Sequence, residues 1–194
     1  MELPRRKRLL NKMKLHGLFI TFEGGEGCGK TTQINILKER IANLMSVPFL
    51  VTREPGGVPA AEVIRGLLVN GEANTWRPAT EALLMSAARH EHVEQIIRPA
   101  LAQNKLVISD RFVDSTIVYQ GIVGGVSASD IAAMNRIACG EVYPHATIIL
   151  DIESQIGLAR VKSRGDTEGR FESRGQDYHE KVRAGFLEIA ANSP

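Results

Sequence analysis

Four short apolar runs punctuate the chain, and each gives way to a different pattern. Residues 18–23 end at glycines. Residues 47–53 carry Phe49, Leu50 and Val51 at their centre. Residues 106–110 and 147–151 each end on an aspartate. Apolar runs of this length without alternation predict strands covered on both faces. The stretches between them, 31–44, 60–68, 80–103, 129–139 and 154–163, predict helices, and 176–191 predicts another. Strand and helix in alternation predict an α/β fold, a parallel sheet with helices on both faces. No internal repeat or linker divides residues 17–194, which read as a single domain.

Composition narrows the class. The 194 residues, 43% of them hydrophobic, suit one full core. The two cysteines, Cys28 and Cys139, lie far apart, which argues against a disulfide framework or a zinc site and for a cytoplasmic setting. No run approaches a membrane span. The net charge of +2 hides an asymmetry: residues 1–14 hold six basic residues and one acid, leaving 18 basic against 21 acidic residues beyond them, a net of −3. The body is mildly acidic, so neither a nucleic-acid partner nor a membrane is expected. The basic start reads as a disordered leader over 1–16, with a nucleic-acid or membrane-surface arm as the alternative.

The chemistry begins at Gly24-Gly25-Glu26-Gly27-Cys28-Gly29-Lys30-Thr31, which fits the phosphate-loop pattern G-x-x-x-x-G-K-[ST] and lies between a predicted strand and a predicted helix. Its backbone N–H groups and the helix N-terminus suit NTP phosphates. Lys30 is placed to reach the β- and γ-phosphates, and Thr31 to hold Mg2+. Cys28, near Lys30 at a helix start, reads either as a reactive thiol or as a small filler. No N-K-x-D element for guanine is present, since Asn104-Lys105 runs on into Leu106-Val107. Asp110-Arg111 stand at a strand end, where an open parallel sheet places its ligands. Asp110 suits Mg2+ through its bound water or the orientation of the acceptor, and Arg111 a phosphate. His16, His90, His92, His145 and His179 show no metal-binding spacing; His90 and His92, two apart, point to different sides of a helix.

Several motifs together resemble bacterial thymidylate kinase: residues 22–33 through the phosphate loop, Arg53-Glu54-Pro55-Gly56-Gly57, the segment from Glu81 to Arg89, Asp110-Arg111-Phe112, and Tyr119-Gln120-Gly121. The resemblance covers about 18–191. It implies transfer of the ATP γ-phosphoryl group to dTMP with Mg2+, and a homodimer packed through helices, with 82–88 supplying part of that face. It implies that Glu26 faces the acceptor sugar and phosphate, and that Arg53 and Arg111 position that phosphate. Arg89 is implied at a thymine carbonyl, and Ser115 and Thr116 near the other base edge. Tyr119 is implied at the sugar 2′ position, beside Gln120. Met85 stands where many members carry a stacking phenylalanine. Residues 160–170 resemble a lid, with Arg160, Arg164 and Arg170 facing the donor phosphates together with Thr32 of the loop. Gly27 stands where some members carry an arginine, so Arg164 is the expected source of transition-state charge. A phosphate acceptor is already anionic, so no general base is needed. The family's sheet has a further strand and helix after 176–191, and this chain is expected to lack them. Two other readings stay open: a different small-molecule P-loop kinase, or a non-catalytic ATP-dependent switch.

Overall fold

The computed structural model describes residues 17–44, 47–164, 170–171 and 173–193, with the side chains of Leu44 and Arg164 excepted. The predicted leader and the lid residues 165–169 lie outside the described residues. The strands are β1 (Phe19–Glu23), β2 (Phe49–Arg53), β3 (Leu106–Asp110) and β4 (Ala146–Ile149). All pair parallel in the order β2-β3-β1-β4. The register sets Phe22 beside Asp110 and Arg53 beside Asp110, so the ends that carry the chemistry meet at one sheet edge.

The two central strands are the buried ones. Phe19, Val107 and Ile108 are fully enclosed, whereas β2 and β4 at the flanks are only partly covered. The expectation of burial on both faces therefore holds for β1 and β3 alone. The helices are α1 (Lys30–Leu44), α2 (Pro59–Val69), α3 (Pro78–His92), α4 (Arg98–Ala102), α5 (Val113–Thr116), α6 (Ala128–Cys139), α7 (Ser154–Arg164) and α8 (Gln176–Asn192). One cluster around Ile34, Ile41, Phe22 and Ile108 packs α1 against the sheet. Another, around Phe19, Val93, Ile97, Phe112 and Cys139, fills the opposite side.

Two segments differ from the sequence reading. The single helix expected over 80–103 is interrupted by a π-helical stretch, Val93–Ile97, before α4 begins with Pro99 in its first turn. Proline lacks the N–H an α-helical turn needs, and a locally widened turn accommodates it. Residues 113–122 had no predicted element, yet they form α5 and a π-helical stretch, Ile117–Ile122. Ile117-Val118-Tyr119 carries β-branched and aromatic residues that favour strands. Burial of Val118 and Tyr119 against Val182 and Phe186 of α8 overrides that preference. Short of these, the predicted elements stand within two residues of the observed ones.

Phe19 is fully buried, with its ring edge-on to Phe112 at 4.9 Å. Phe19→Ala should lower stability by about 3–5 kcal/mol, through lost burial and the cavity left beside Phe112. A urea midpoint within experimental error of the parent's would show that the site collapses around the smaller side chain.

Candidate active site

The loop after β1 closes over its own lysine. Lys30 Nζ donates to Gly24 O at 3.1 Å and Gly25 O at 3.0 Å, and lies 3.5 Å from Cys28 Sγ. Gly27 has φ +67°, and a Cβ there would lie 2.1 Å from Gly157 O in α7. Gly157 is as constrained, because its own Cβ would meet Glu26 O at 2.3 Å. Two glycines thus let the loop and the first turn of α7 touch backbone to backbone. Arg160, one turn on, reaches Gly27 O at 3.4 Å.

At the end of β3, Asp110 Oδ2 accepts from the Thr31 hydroxyl at 3.0 Å. These are two hard oxygen donors a hydrogen bond apart, at the head of α1 and beside the phosphate loop. That donor set suits Mg2+, which takes few protein oxygens and completes its shell with phosphate oxygens and water. Among the described residues no group of three or more His, Cys, Asp and Glu forms a dedicated metal cage.

Arg111 follows with φ +70°, a positive angle unusual for a side chain with a Cβ. That turn aims the guanidinium over the phosphate loop. Nη1 donates to Gly24 O at 3.0 Å and to Ser115 Oγ at 3.1 Å; Nη2 donates to Glu26 Oε1 at 2.8 Å. Tyr119 donates its hydroxyl to the same Glu26 oxygen at 3.0 Å, and the guanidinium lies 5.2 Å from the Tyr119 ring centre. Burial alone would raise the Glu26 carboxyl, but Arg111, Lys30, the Tyr119 hydroxyl and His179 outweigh it and hold it below the usual range. Burial likewise opposes the Arg111 charge, and Glu26 more than restores it.

A second buried pair lines the far wall. Arg89 donates from Nε to Glu54 Oε2 at 2.7 Å, and from its other nitrogens to Asn135 Oδ1, Phe112 O and Thr116 Oγ1. Glu54 Oε1 lies 3.0 Å from His92 Nδ1, whose Nε2 lies 2.6 Å from the Thr52 hydroxyl. Arg53 pairs with Glu62 at 3.0 Å near the mouth.

These walls enclose a cavity of about 290 Å3. It gathers most of the residues singled out from the sequence: the loop from Glu26 to Thr32, Arg53, Met85, Arg89, Asp110, Arg111, Ser115, Thr116, Tyr119 and Gln120. Arg170 is not among them. Its guanidinium is enclosed by Glu81, Leu68 O and Glu72 O, away from the phosphate loop. The expectation that it faces donor phosphates therefore does not match this structure: Glu81, buried at the start of α3, needs the charge and takes it. Arg174 joins the same carboxylate at 3.0 Å, and Gln120 donates to its other oxygen at 3.0 Å.

Sequence reasoning passed over three residues. Arg65 lines the cavity and donates to Pro55 O at 2.9 Å, and it belongs to no motif. Gly157 gave no motif signal. Glu23 was quoted within a motif and given no role. It is fully buried at the end of β1, accepting from Phe112 N–H and from the Ser115 hydroxyl, each at 2.6 Å.

Comparison with known proteins bears on this arrangement. The profile of the family described as thymidylate kinase matches residues 22–194. A thymidylate kinase of Caulobacter vibrioides is 52% identical over 178 residues, spanning 92% of this chain and 85% of the relative. One of Symbiobacterium thermophilum is 46% identical over 177 residues, 91% of this chain and 81% of the relative. The crystal structure of thymidylate kinase from Ehrlichia chaffeensis superposes with a TM-score of 0.74 at 37% identity, covering 92% of this chain and 85% of that one.

Burial lifts the Glu23 carboxyl from 4.5 to about 7, against the opposing pull of Ser115, Arg111 and the Phe112 N–H. The folded chain then keeps a proton that the unfolded chain releases. The Glu23 contribution to stability is full below about pH 4.5 and is lost as pH rises to about 7, by up to about 3 kcal/mol. Denaturant unfolding at pH 5 and pH 7.5 should show this fall in the parent and a smaller one in Glu23→Gln. Equal falls in the two proteins would assign the pH dependence elsewhere. Separately, Gly157→Ala should cost about 1–3 kcal/mol and weaken ATP binding, because the new methyl displaces the phosphate loop; unaltered ATP affinity by calorimetry would count against the close approach.

Proposed function

Because the chain belongs to the thymidylate kinase family, we propose that its cavity aligns ATP and dTMP and transfers the γ-phosphoryl group to give dTDP. The observation that carries this reading is Arg111, turned by its positive φ to bridge the phosphate loop, Glu26 and Ser115 from one guanidinium. Donor and acceptor phosphates must meet where loop and strand end converge, and a bidentate cation is the group that phosphate oxygens require there.

In this reading Lys30 exchanges its loop carbonyls for phosphate oxygens, and the loop amides hold the remainder. Thr31 and Asp110 would hold Mg2+, which would neutralise charge on the donor phosphate oxygens. Arg111 and Arg53 fix the acceptor phosphate. Glu26, kept ionised by Arg111 and Tyr119, orients that arginine and the sugar without taking a proton. Arg89, immobilised by Glu54 and Asn135, meets the base, and Met85 contacts its face with a thioether. Catalysis is alignment plus neutralisation of charge, so no activated nucleophile is needed. Arg160 approaches the loop from α7, which fits a donor-side lid; Arg164 belongs to the same proposal.

The same proposal includes a homodimer. Leu83 on α3, and Val63 and Ile137 on the helices α2 and α6 that pack against it, are 59%, 69% and 74% exposed. Within 82–88, Ala82 and Ala88 face inward, so Leu83 and Ala87 are the exposed residues that supply apolar surface. Free thiols at Cys28 and Cys139 fit a reducing cytoplasm.

A coupled ADP-release assay over a panel of nucleoside monophosphates tests the reading. dTMP should be the preferred acceptor; ATP binding with no turnover on any acceptor would favour a switch, and turnover with a different acceptor would favour another small-molecule kinase. Tyr119→Ala should raise activity on ribonucleotides relative to dTMP, within the roughly hundredfold that steric exclusion of a hydroxyl allows. Equal losses on both would make Tyr119 a packing residue only. Arg164→Ala should lower kcat by about 10³-fold with ATP binding retained; unchanged kcat would remove Arg164 from the donor site.

A further inference from the structure

Glu23 lies outside the cavity yet is bonded to the part of it that matters most. Its two oxygens are divided between main chain and side chain: Oε1 accepts from Phe112 N–H and Oε2 from the Ser115 hydroxyl. Ser115 Oγ, with its hydrogen directed at Glu23, presents its lone pairs to Arg111 Nη1 at 3.1 Å. The Phe112 N–H belongs to the peptide that directly follows Arg111, one of two non-glycine residues with positive φ among those described. One carboxylate thus grips the backbone just beyond the strained residue and, through one hydroxyl, its guanidinium.

Strand pairing does not call for an acid here. Glu23 O already accepts from Leu150 N–H in the main chain, and burying a carboxylate costs several kcal/mol unless donors meet it. A residue held at positive φ also needs its surroundings to over-determine it. The two costs offset one another when the acid fixes the turn. On the reading of the cavity as a phosphoryl-transfer site, we propose that Glu23 is a positioning residue for Arg111, aiming its guanidinium across the phosphate loop through Ser115 and the Phe112 N–H.

The division of the two oxygens separates the two arms experimentally. In Glu23→Gln the amide oxygen still accepts from Phe112, but the amide nitrogen cannot accept the Ser115 hydrogen, so the hydroxyl loses the acceptor that fixes its rotamer and with it the aim of its lone pairs at Arg111. Ser115→Ala breaks the same link from the other side. Glu23→Ala releases both arms.

The full chain should be assayed as these three variants and as the Gln/Ala double variant, with kcat, both KM values and the melting temperature measured. Phenylalanine amides should be 15N-labelled for NMR. Glu23→Gln should lower kcat by about tenfold to a hundredfold, as a small misalignment does, while the ATP KM stays within about threefold. Ser115→Ala should do the same, and the double variant should be no worse than the poorer single one, because both cut one link. Glu23→Ala should lose more and should move the Phe112 amide proton upfield. Losses that multiply in the double variant, or a kcat within twofold of the parent in Glu23→Gln, would overturn the proposal. So would a Phe112 amide that is unmoved in Glu23→Ala. A parent chain that fails to turn over dTMP would sink the reading of the function instead, and the amide shift would still decide the Glu23 contact.

Discussion

A carboxylate removed from water must be met by donors or give up its charge. Much of this molecule follows from meeting that demand with arginine. Glu26 faces Arg111, Glu54 faces Arg89, and Glu81 faces Arg170 and Arg174. Replacing one partner would leave a buried charge uncompensated, a loss of about 3–5 kcal/mol rather than the small worth of a surface pair. Contrast Arg98 with Glu94 or Arg183 with Asp151, which are exposed pairs and contribute little. The buried pairs join segments distant in sequence, so they fix the walls of the cavity relative to one another. Coulombic demand and hydrophobic burial act together here: Phe19 and Phe112 pack beneath the turn that carries Arg111.

The same demand explains which elements were legible in the sequence. The strands, the phosphate loop and the Asp110-Arg111 step are local patterns, written in consecutive residues, and the structure brings them to one sheet edge. Arg170 is different. It stands among charges in a segment that reads as a solvated lid, and its partner Glu81 lies 89 residues away. Nothing in the spacing links the two. Glu23 is similarly hidden, since an acid at a strand end beside a glycine-rich loop looks like part of the loop's motif, while its donors come from residues 112 and 115.

Residues 113–122 fail for a further reason. Their local preference is for strand, and what decides their conformation is the surface they cover. Val118 and Tyr119 meet Val182 and Phe186, and Gly185 of α8 lets the helices approach so closely that an added Cβ would lie 3.0 Å from Val118. Tertiary packing outweighs propensity differences of about 1 kcal/mol. The helical path has a consequence for the site. It turns Ser115, Thr116, Tyr119 and Gln120 toward one cavity, a spacing that a strand would have divided between two faces.

Arg111 shows how the levels combine. Its backbone strain costs about 1–2 kcal/mol, which is small beside the charge it brings. An arginine at an ordinary strand angle would continue along β3 and leave the phosphate loop. At φ +70° it crosses to Gly24 O, and a glutamate on each side of the loop's first glycine then has an arginine within reach: Glu26 directly and the buried Glu23 through Ser115. The strained turn, the two acids and the hydroxyl form one unit, in which each costly feature is tolerated because another requires it. A phosphate entering this unit meets a cation that is already oriented by Glu26, Ser115 and Gly24 O, so little further ordering is needed when it binds.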